Sequence, residues 1–156
     1  MARVAGLETR LDVCVQPGPE ITFKADVDQL EQLLINLVRN AVDAFLASHL
    51  AATDKLSSVE QSAASSNGVV IRWDADAEHV ALEVEDEGTG LLNPANVFTP
   101  FYTTKTNGSG VGLVLCRRIA EAHGGTIEIA NRTTGSGCLV KVILPKCTHH
   151  LLQVHQ

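Results

Sequence analysis

Asp86-Glu-Gly-Thr-Gly90 and Gly108-Ser-Gly-Val-Gly-Leu113 are two glycine-rich stretches on either side of the segment Phe98-Thr-Pro-Phe-Tyr-Thr-Thr-Lys105. Glycines at alternating positions allow backbone with positive φ that can approach a ligand closely. The second stretch precedes an apolar-periodic run, so it is predicted to open a helix whose N-terminus can face an anion. Neither stretch is a GxxxxGK[ST] loop or a GxGxxG fingerprint. The sequence therefore indicates a nucleotide fold of another kind.

A long helix with one polar edge is predicted upstream of these stretches. Asp26 is a suitable N-cap for it. Apolar residues at helical spacing extend the helix to about residue 50 and form a core-facing stripe: Leu30, Leu33, Leu34, Leu37, Val38, Ala41 and Phe45. Asn36, Asn40 and Asp43 line one edge, because their spacing is i, i+4, i+7. Spacing alone favours a solvated face, whereas the glycine stretches favour an oxygen-rich face for a cation and a nucleotide.

The remaining patterns predict a mixed sheet. Alternating apolar residues predict strands at 11–15, 21–25, 69–73, 80–84, 126–130 and 138–144. A second helix over 111–123 ends at Gly124-Gly125, and residues 52–68 have no sustained period and predict a flexible excursion. Because the order is not a βαβ series, we expect an α/β (α+β) two-layer sandwich, with a mostly antiparallel sheet covered on one face by about three helices. The domain is expected to span 6–145, followed by a disordered tail over 146–156.

Composition limits the possible partners. The chain has 156 residues, 45% of them hydrophobic and 19% charged, as expected for one globular domain. A net charge of -6 argues against a nucleic-acid or anionic membrane surface. No run approaches the roughly 18 apolar residues of a membrane span, so a cytoplasmic fragment without membrane contact is expected. The four cysteines form no CxxC pair and the six histidines have no ligand spacing, so neither disulfides nor a zinc site are suggested.

The order of an Asn-rich helix over 28–44, DxGxG, a Phe-Pro-Phe segment and GxGxG resembles the catalytic ATP-binding domain of sensor histidine kinases. The wider family includes DNA gyrase, the large heat-shock chaperones and the MutL mismatch-repair proteins. The resemblance covers roughly residues 6–145 and implies a Bergerat-type fold with ATP and Mg²⁺. It also implies a helical dimerisation domain that carries the phospho-acceptor histidine, and a response regulator downstream. Residues 1–40 contain no histidine, so the acceptor is expected outside this chain. The sequence leaves open whether the full-length protein is anchored in the inner membrane.

The resemblance implies where the base and the metal bind. An adenine pocket needs an acceptor for the exocyclic amine, and the resemblance assigns this role to Asp86. Gly88 and Gly90 would let the loop pass close to the base, where a β-carbon would obstruct it. Asn40 matches the position whose amide oxygen coordinates Mg²⁺, a hard cation that binds few protein ligands and keeps several waters.

The phosphates are expected at the second glycine stretch. Backbone N–H groups and the helix dipole would bind them. The predicted cofactor-binding residues of this stretch are Gly108, Ser109, Gly110, Val111, Gly112 and Leu113. Lys105 adds a mobile positive charge. Asn36 and Asp43 are further contributors to the metal shell or the nucleotide edge. Asn36, Asn40 and Lys105 are thus the expected catalytic residues.

The segment between the glycine stretches matches the family's F box, whose aromatic residues pack at the base of the ATP lid: Phe98, Pro100, Phe101 and Tyr102. For Phe98, ordinary core packing is an equally good interpretation. Residues 103–107, which include the predicted nucleotide contacts Thr103 and Thr104, form a short polar lid.

Two other functions remain open. ATP-driven conformational proteins of the gyrase, MutL or chaperone type carry a water-activating Glu one turn before the metal-binding Asn. That position is Asn36 here, which cannot act as a carboxylate base. An anti-sigma-type serine kinase shares the fold, and the Phe-Thr-Pro-Phe-Tyr-Thr-Thr-Lys segment makes it less favoured. Transfer of the γ-phosphoryl group to a histidine is therefore the preferred prediction.

Overall fold

The computed structural model describes residues 13–53, 68–102, 108 and 110–146. Within these ranges the elements are β1 (Val13–Val15), α1 (Val27–Thr53), β2 (Val69–Ala75), β3 (His79–Asp86), a 3-10 helix (Pro94–Asn96), α2 (Gly112–Ala122), β4 (Thr126–Asn131) and β5 (Cys138–Pro145). The strand order in the sheet is β1-β2-β3-β5-β4. The β1–β2 pair is parallel and the other three pairs are antiparallel, which confirms the mixed, mostly antiparallel sheet. The described ranges hold two α-helices and the short 3-10 helix, where about three helices were expected.

The predicted strand at 21–25 is wrong, because the chain between Val15 and Val27 forms no strand and does not turn back to pair with β1. Gln16 N–H instead donates to Ile71 O at 2.9 Å and continues the parallel pairing with β2. Gly18 then lies directly against Trp73, whose Nε1–H donates to Pro19 O at 3.0 Å. Residues 21–25 run on to the start of α1, and Phe23 packs against the core.

Helix α1 begins after a capping residue and packs one face on the core. Asp26 Oδ1 accepts a hydrogen bond from Gln29 N–H at 3.1 Å, so the predicted N-cap is confirmed. Leu33 and Leu37 are each 1% exposed, whereas Leu34, which the predicted core stripe included, is 36% exposed. Each residue turns an α-helix by about 100°, so the neighbour of a fully buried residue lies towards the edge of the buried face. No helix in the described ranges is both long and apolar enough to cross a bilayer.

The two helices cover one face of the sheet. Alternate residues of the central strands point towards the helices and pack against Cys116 and Ile119 of α2: Val69, Val84, Val140, Val142 and Leu144. His123, just after α2, is buried; its Nδ1 lies 2.8 Å from Ile119 O and its Nε2 accepts from Asp26 N–H at 3.1 Å. This bond ties the end of α2 to the start of α1, so the two helices have a fixed relation over the sheet.

The opposite face of the sheet carries charged side chains. Arg72 contacts Glu83 and Glu85 at 2.6 and 2.9 Å, and Arg132 contacts Glu85 at 2.7 Å. Lys141 contacts Glu83 at 3.3 Å. This face is therefore hydrophilic, and the surface between the helices and the ends of the strands is left for the candidate site. The predicted excursion at 52–68 and the predicted tail lie almost entirely outside the described residues.

Candidate functional site

The polar edge of α1 lies beside the N-terminus of α2. A β-carbon built on Gly112, the first residue of α2, would lie 3.7 Å from Asn36 Oδ1 and 3.9 Å from Asn40 Nδ2. No side chain among the described residues caps this helix end, so its first N–H groups and the positive end of the dipole remain available. The fold thus brings two predicted site residues of α1 together with the second glycine stretch.

Asn36 carries the clearest sign of a ligand. Its Nδ2 is buried and has no hydrogen-bond partner among the described residues. A buried donor without a partner costs about 1–3 kcal/mol. A ligand oxygen at this place would remove that cost, and the amide oxygens of the same edge are of the type that hard cations prefer. The residues present therefore fit a phosphate group with its metal ion. Asn40 and Asp43 make interactions within the protein, and Asp43 is exposed.

Asp86 ends β3 and is 5% exposed. Its Oδ1 accepts from Gly88 N–H at 2.8 Å and from Cys138 N–H at 3.4 Å. Burial raises the pKa of this carboxyl, and the two backbone N–H groups and the charge of Arg132 oppose the rise. Both backbone donors meet Oδ1, so the second carboxylate oxygen is the candidate acceptor for a ligand amine.

Gly88 fixes the position of the Asp86 loop on α1. A β-carbon on Gly88 would lie 2.7 Å from both the carbonyl carbon and the β-carbon of Ala44, so no side chain fits there. Ala44 lies one turn beyond Asn40 and two turns beyond Asn36. Eight residues of helix span about 12 Å. The helix therefore separates a carboxylate end of the site from an amide end. Sequence reasoning did not single out Ala44; the available signal was a small residue directly after Asp43.

The two ends of the predicted lid meet. Phe101 N–H donates to Gly110 O at 3.2 Å, and a β-carbon on Gly110 would lie 2.5 Å from the Phe101 carbonyl carbon. Gly110 has a φ of 67°, which its lack of a side chain permits. The predicted contacts Thr103, Thr104, Lys105 and Ser109 lie outside the described residues. Gly108, also predicted, is half-buried.

The aromatic residues of the F-box segment differ from one another. Phe98 is half-buried, and the Arg117 guanidinium carbon lies 5.5 Å from the centre of its ring. Phe101 is 80% exposed, so the expectation that it packs at the base of the lid is wrong. Its φ of 64° lies in the left-handed region, which is uncommon for a bulky residue. Tyr102 is half-buried, and its N–H donates to Thr99 O at 3.2 Å.

The other predicted contacts at the start of α2 lie at two depths. Leu113 packs against the core, while Val111 is exposed and its carbonyl oxygen accepts from Leu115 N–H at 2.9 Å. Sequence reasoning did not single out Gly137, in the turn between β4 and β5, although a β-carbon on this residue would collide with Asp86 O.

Comparisons with known proteins identify the family of this chain. Residues 25–148 match the family described as histidine kinase-, DNA gyrase B- and HSP90-like ATPases. The chain is 32% identical to the signal transduction histidine-protein kinase AtoS of Escherichia coli, over 93% of this chain and 21% of AtoS. It is 33% identical to the sensor protein FixL of Bradyrhizobium diazoefficiens, over 87% of this chain and 24% of FixL. The chain thus spans less than a quarter of each relative.

Among solved structures, the catalytic domain of the histidine kinase ThkA matches with a TM-score of 0.63 and 30% identity. The match covers 86% of this chain and 78% of that domain. The matched region is therefore most of this chain and most of that catalytic domain.

Proposed function

Because the chain belongs to the family of histidine kinase-, DNA gyrase B- and HSP90-like ATPases, as the catalytic ATP-binding domain of a sensor histidine kinase, we propose that it binds Mg-ATP and donates the γ-phosphoryl group to a histidine on a separate helical acceptor domain. The observation that carries the proposal is the Nδ2 of Asn36, which has no partner among the described residues and lies beside a start of α2 that no described side chain caps. Both are sites for the oxygens of a phosphate group.

The separation along α1 gives the nucleotide a direction. The adenine lies at the carboxylate end, where Asp86 accepts a hydrogen bond from the exocyclic amine. The phosphates lie at the amide end, against the N–H groups at Gly112. Gly88 packs directly against Ala44, so the loop that follows Asp86 is held on α1. A nucleotide held at both ends has its terminal phosphate in a fixed place, which is how positioning lowers the barrier of a transfer reaction.

Asn40 is the proposed metal residue, and it would bind Mg²⁺ through its amide oxygen. The ion, when bound, neutralises charge on the phosphate oxygens. Asn36 donates to a phosphate oxygen through Nδ2, and Lys105 adds a positive charge from the lid. Asp43, on the same edge of α1, faces the nucleotide side. Phosphoryl transfer requires little covalent chemistry from the protein, so these roles are binding, orientation and charge stabilisation.

Asn36 also favours transfer over hydrolysis. A general base in a phosphoryl-transfer site contributes about 100- to 10,000-fold to the rate. Asn36 is a neutral amide that cannot accept the proton of an attacking water. The acceptor must therefore bring its own nucleophile, and we propose the histidine of a helical dimerisation domain, with a response regulator as the next acceptor.

The histidine after α2 is not suited to be that acceptor. His123 is 7% exposed, and both of its ring nitrogens have partners, Ile119 O and Asp26 N–H. A buried ring with both nitrogens engaged cannot attack a phosphate from solution.

We place the reaction in the cytoplasm, where ATP and response regulators are available.

Radiolabelled transfer tests the proposal. The chain is incubated with γ-labelled ATP, Mg²⁺ and the helical acceptor domain of the full-length protein. We expect an acid-labile, base-stable phosphohistidine on the acceptor and no label on this chain. An acceptor whose histidine is replaced by glutamine is the matched control and should stay unlabelled. Label on a serine, or rapid ATP turnover by this chain alone, contradicts the proposal and supports the serine kinase or the ATPase alternative, respectively.

A further inference from the structure

Asn131, the last residue of β4, holds the backbone of Leu91 with both polar atoms of its side chain. Its Oδ1 accepts from Leu91 N–H at 2.6 Å, and its Nδ2 donates to Leu91 O at 3.1 Å. The two residues are 40 positions apart in the chain. A side-chain amide that exchanges both bonds with one residue reproduces the pairing of two residues in an antiparallel ladder. Leu91 is thereby held as if it belonged to a strand, although it lies in a loop.

The residue held in this way directly follows Asp86-Glu-Gly-Thr-Gly90. Gly90 has a φ of 77°, and a β-carbon on it would lie 3.0 Å from Asn131 Oδ1. The amide of Asn131 therefore lies against the loop at the exit of the first glycine stretch. Asn131 is itself exposed, so its side chain does not contribute to the core. Its contacts instead determine the path of the loop.

The same β4–β5 connection also contacts the start of the loop. A β-carbon on Gly137 would collide with Asp86 O, and Cys138 N–H donates to Asp86 Oδ1. Arg132 Nη1 lies 3.5 Å from Glu87 Oε1. The connection thus contacts the loop at Asp86, at Glu87 and at Leu91. The loop from Asp86 to Leu91 is therefore held at both of its ends.

We propose that Asn131 is a positioning residue for the base-binding loop, and that its clamp on Leu91 sets the selectivity of the site for adenine. The inference rests on the proposed function, in which Asp86 accepts from the adenine amine. Released from Asn131, the segment after Gly88 no longer has a fixed path, so Gly90 and Leu91 no longer hold the base against Asp86, which itself stays in place through Gly88 and Cys138. The phosphates are bound at the other end of α1 and do not depend on this clamp.

Binding of ATP and GTP to matched variants tests the clamp. Asn131→Ala removes both bonds, and Asn131→Asp keeps the acceptor for Leu91 N–H but directs a carboxylate oxygen towards Leu91 O. Thr126→Ala, an exposed residue at the other end of β4, is the control. Calorimetric titration with excess Mg²⁺ should show a loss of ATP affinity for Asn131→Ala of at most about 30-fold, the upper limit set by the two hydrogen bonds within the protein that hold the loop. GTP affinity should change little, so the ratio between the two nucleotides falls.

Hydrogen exchange provides the second measurement. The Leu91 amide should exchange faster in Asn131→Ala, whereas Asn131→Asp and Thr126→Ala keep it protected. Asn131→Asp should show an intermediate loss of ATP affinity. A purely structural role would lower both nucleotide affinities equally and leave their ratio unchanged, and this result overturns the inference, as does an unaltered ATP affinity in Asn131→Ala.

The two proposals fail in different ways. If the unmodified chain discriminates between ATP and GTP and Asn131→Ala discriminates equally well, only the clamp is wrong. If the unmodified chain binds ATP no better than GTP, the assignment of Asp86 to the adenine amine fails, and the role of Asn131 in selectivity fails with it, whereas the labelled-transfer experiment tests the proposed function separately.

Discussion

Replacing Asp86 by asparagine is expected to abolish tight ATP binding without loss of folding. Asparagine keeps an Oδ1 that can accept from Gly88 N–H and Cys138 N–H, the two backbone donors that Asp86 Oδ1 meets at 2.8 and 3.4 Å. It cannot offer a second acceptor oxygen to the adenine amine, because the other terminal group is then a donor. The change therefore removes the ligand bond and spares the bonds that shape the loop.

The expected loss follows from the type of bond. A hydrogen bond to a charged group contributes about 1.5–3 kcal/mol. Since about 1.4 kcal/mol corresponds to tenfold in Kd, ATP affinity should fall by about 10- to 150-fold. The amide of the variant can donate to the carbonyl oxygen that guanine carries in place of the amine. The preference for ATP over GTP should therefore shrink or reverse.

Although Asp86→Asn should lower ATP affinity, it should not lower the stability of the nucleotide-free protein. Burial raises the pKa of Asp86, so the folded state binds a proton more tightly than the unfolded chain does. Between the pKa of an unfolded aspartate and this raised pKa, the stability of the protein falls as pH rises. Asparagine never carries the charge. The nucleotide-free variant should have a melting temperature equal to or above that of the unmodified chain at pH 8, and the gap should narrow as pH falls through the raised pKa.

Calorimetry with ATP and GTP, and thermal unfolding between pH 5 and 8 without nucleotide, provide the measurements. Asp74→Asn, at an exposed aspartate on β2, is the matched control and should alter neither. Unchanged ATP affinity in Asp86→Asn would refute the assignment of the base. A lower melting temperature at pH 8 would show that the carboxylate stabilises the fold, contrary to the reasoning from its burial.

Three further changes address the metal, the chemistry and the core. Asn40→Ala should weaken ATP binding in excess Mg²⁺ and have little effect in chelator; equal affinities under both conditions in the unmodified chain would contradict the metal role. Asn36→Glu should raise the slow rate of ATP hydrolysis, measured as phosphate release, because a carboxylate can activate water. Leu33→Ala should lower the free energy of unfolding in urea by about 2–5 kcal/mol, since Leu33 is 1% exposed. Leu34→Ala, at a residue 36% exposed, is its control and should cost under about 1 kcal/mol.

Local patterns predicted the elements whose pairing partners are near in sequence. Strands β2 and β3 and the helix ended by Gly124 were predicted, because alternation records burial and the glycines record the end of the helix. The pairing of β1 was not predictable in this way. Its partner is β2, more than 50 residues away, and Gly18 packs on Trp73 of that strand, whereas the predicted strand at 21–25 does not form. Periodicity shows that a segment alternates, not which strand it joins.

The site could be predicted as far as the residue types carry the chemistry. Asn36, Asn40 and the glycine stretches were singled out, and the fold brings Asn36 and Asn40 to Gly112. Ala44 and Asn131 were not singled out, because their roles come from contact with a distant loop. An alanine in a helix and an asparagine at a strand end are ordinary in sequence.

The closed base of the lid has a consequence for how this domain can diverge. Phe101 and Gly110 are joined by a backbone hydrogen bond and by close packing, so the two ends of the intervening segment lie together. Once the ends are fixed, each doubling of a flexible loop's length costs only about 0.6 kcal/mol. Insertions between these residues would therefore leave the start of α2 and the polar edge of α1 in place. We therefore expect related chains to tolerate predicted lids of different length and chemistry while the start of α2 and the polar edge of α1 keep their positions.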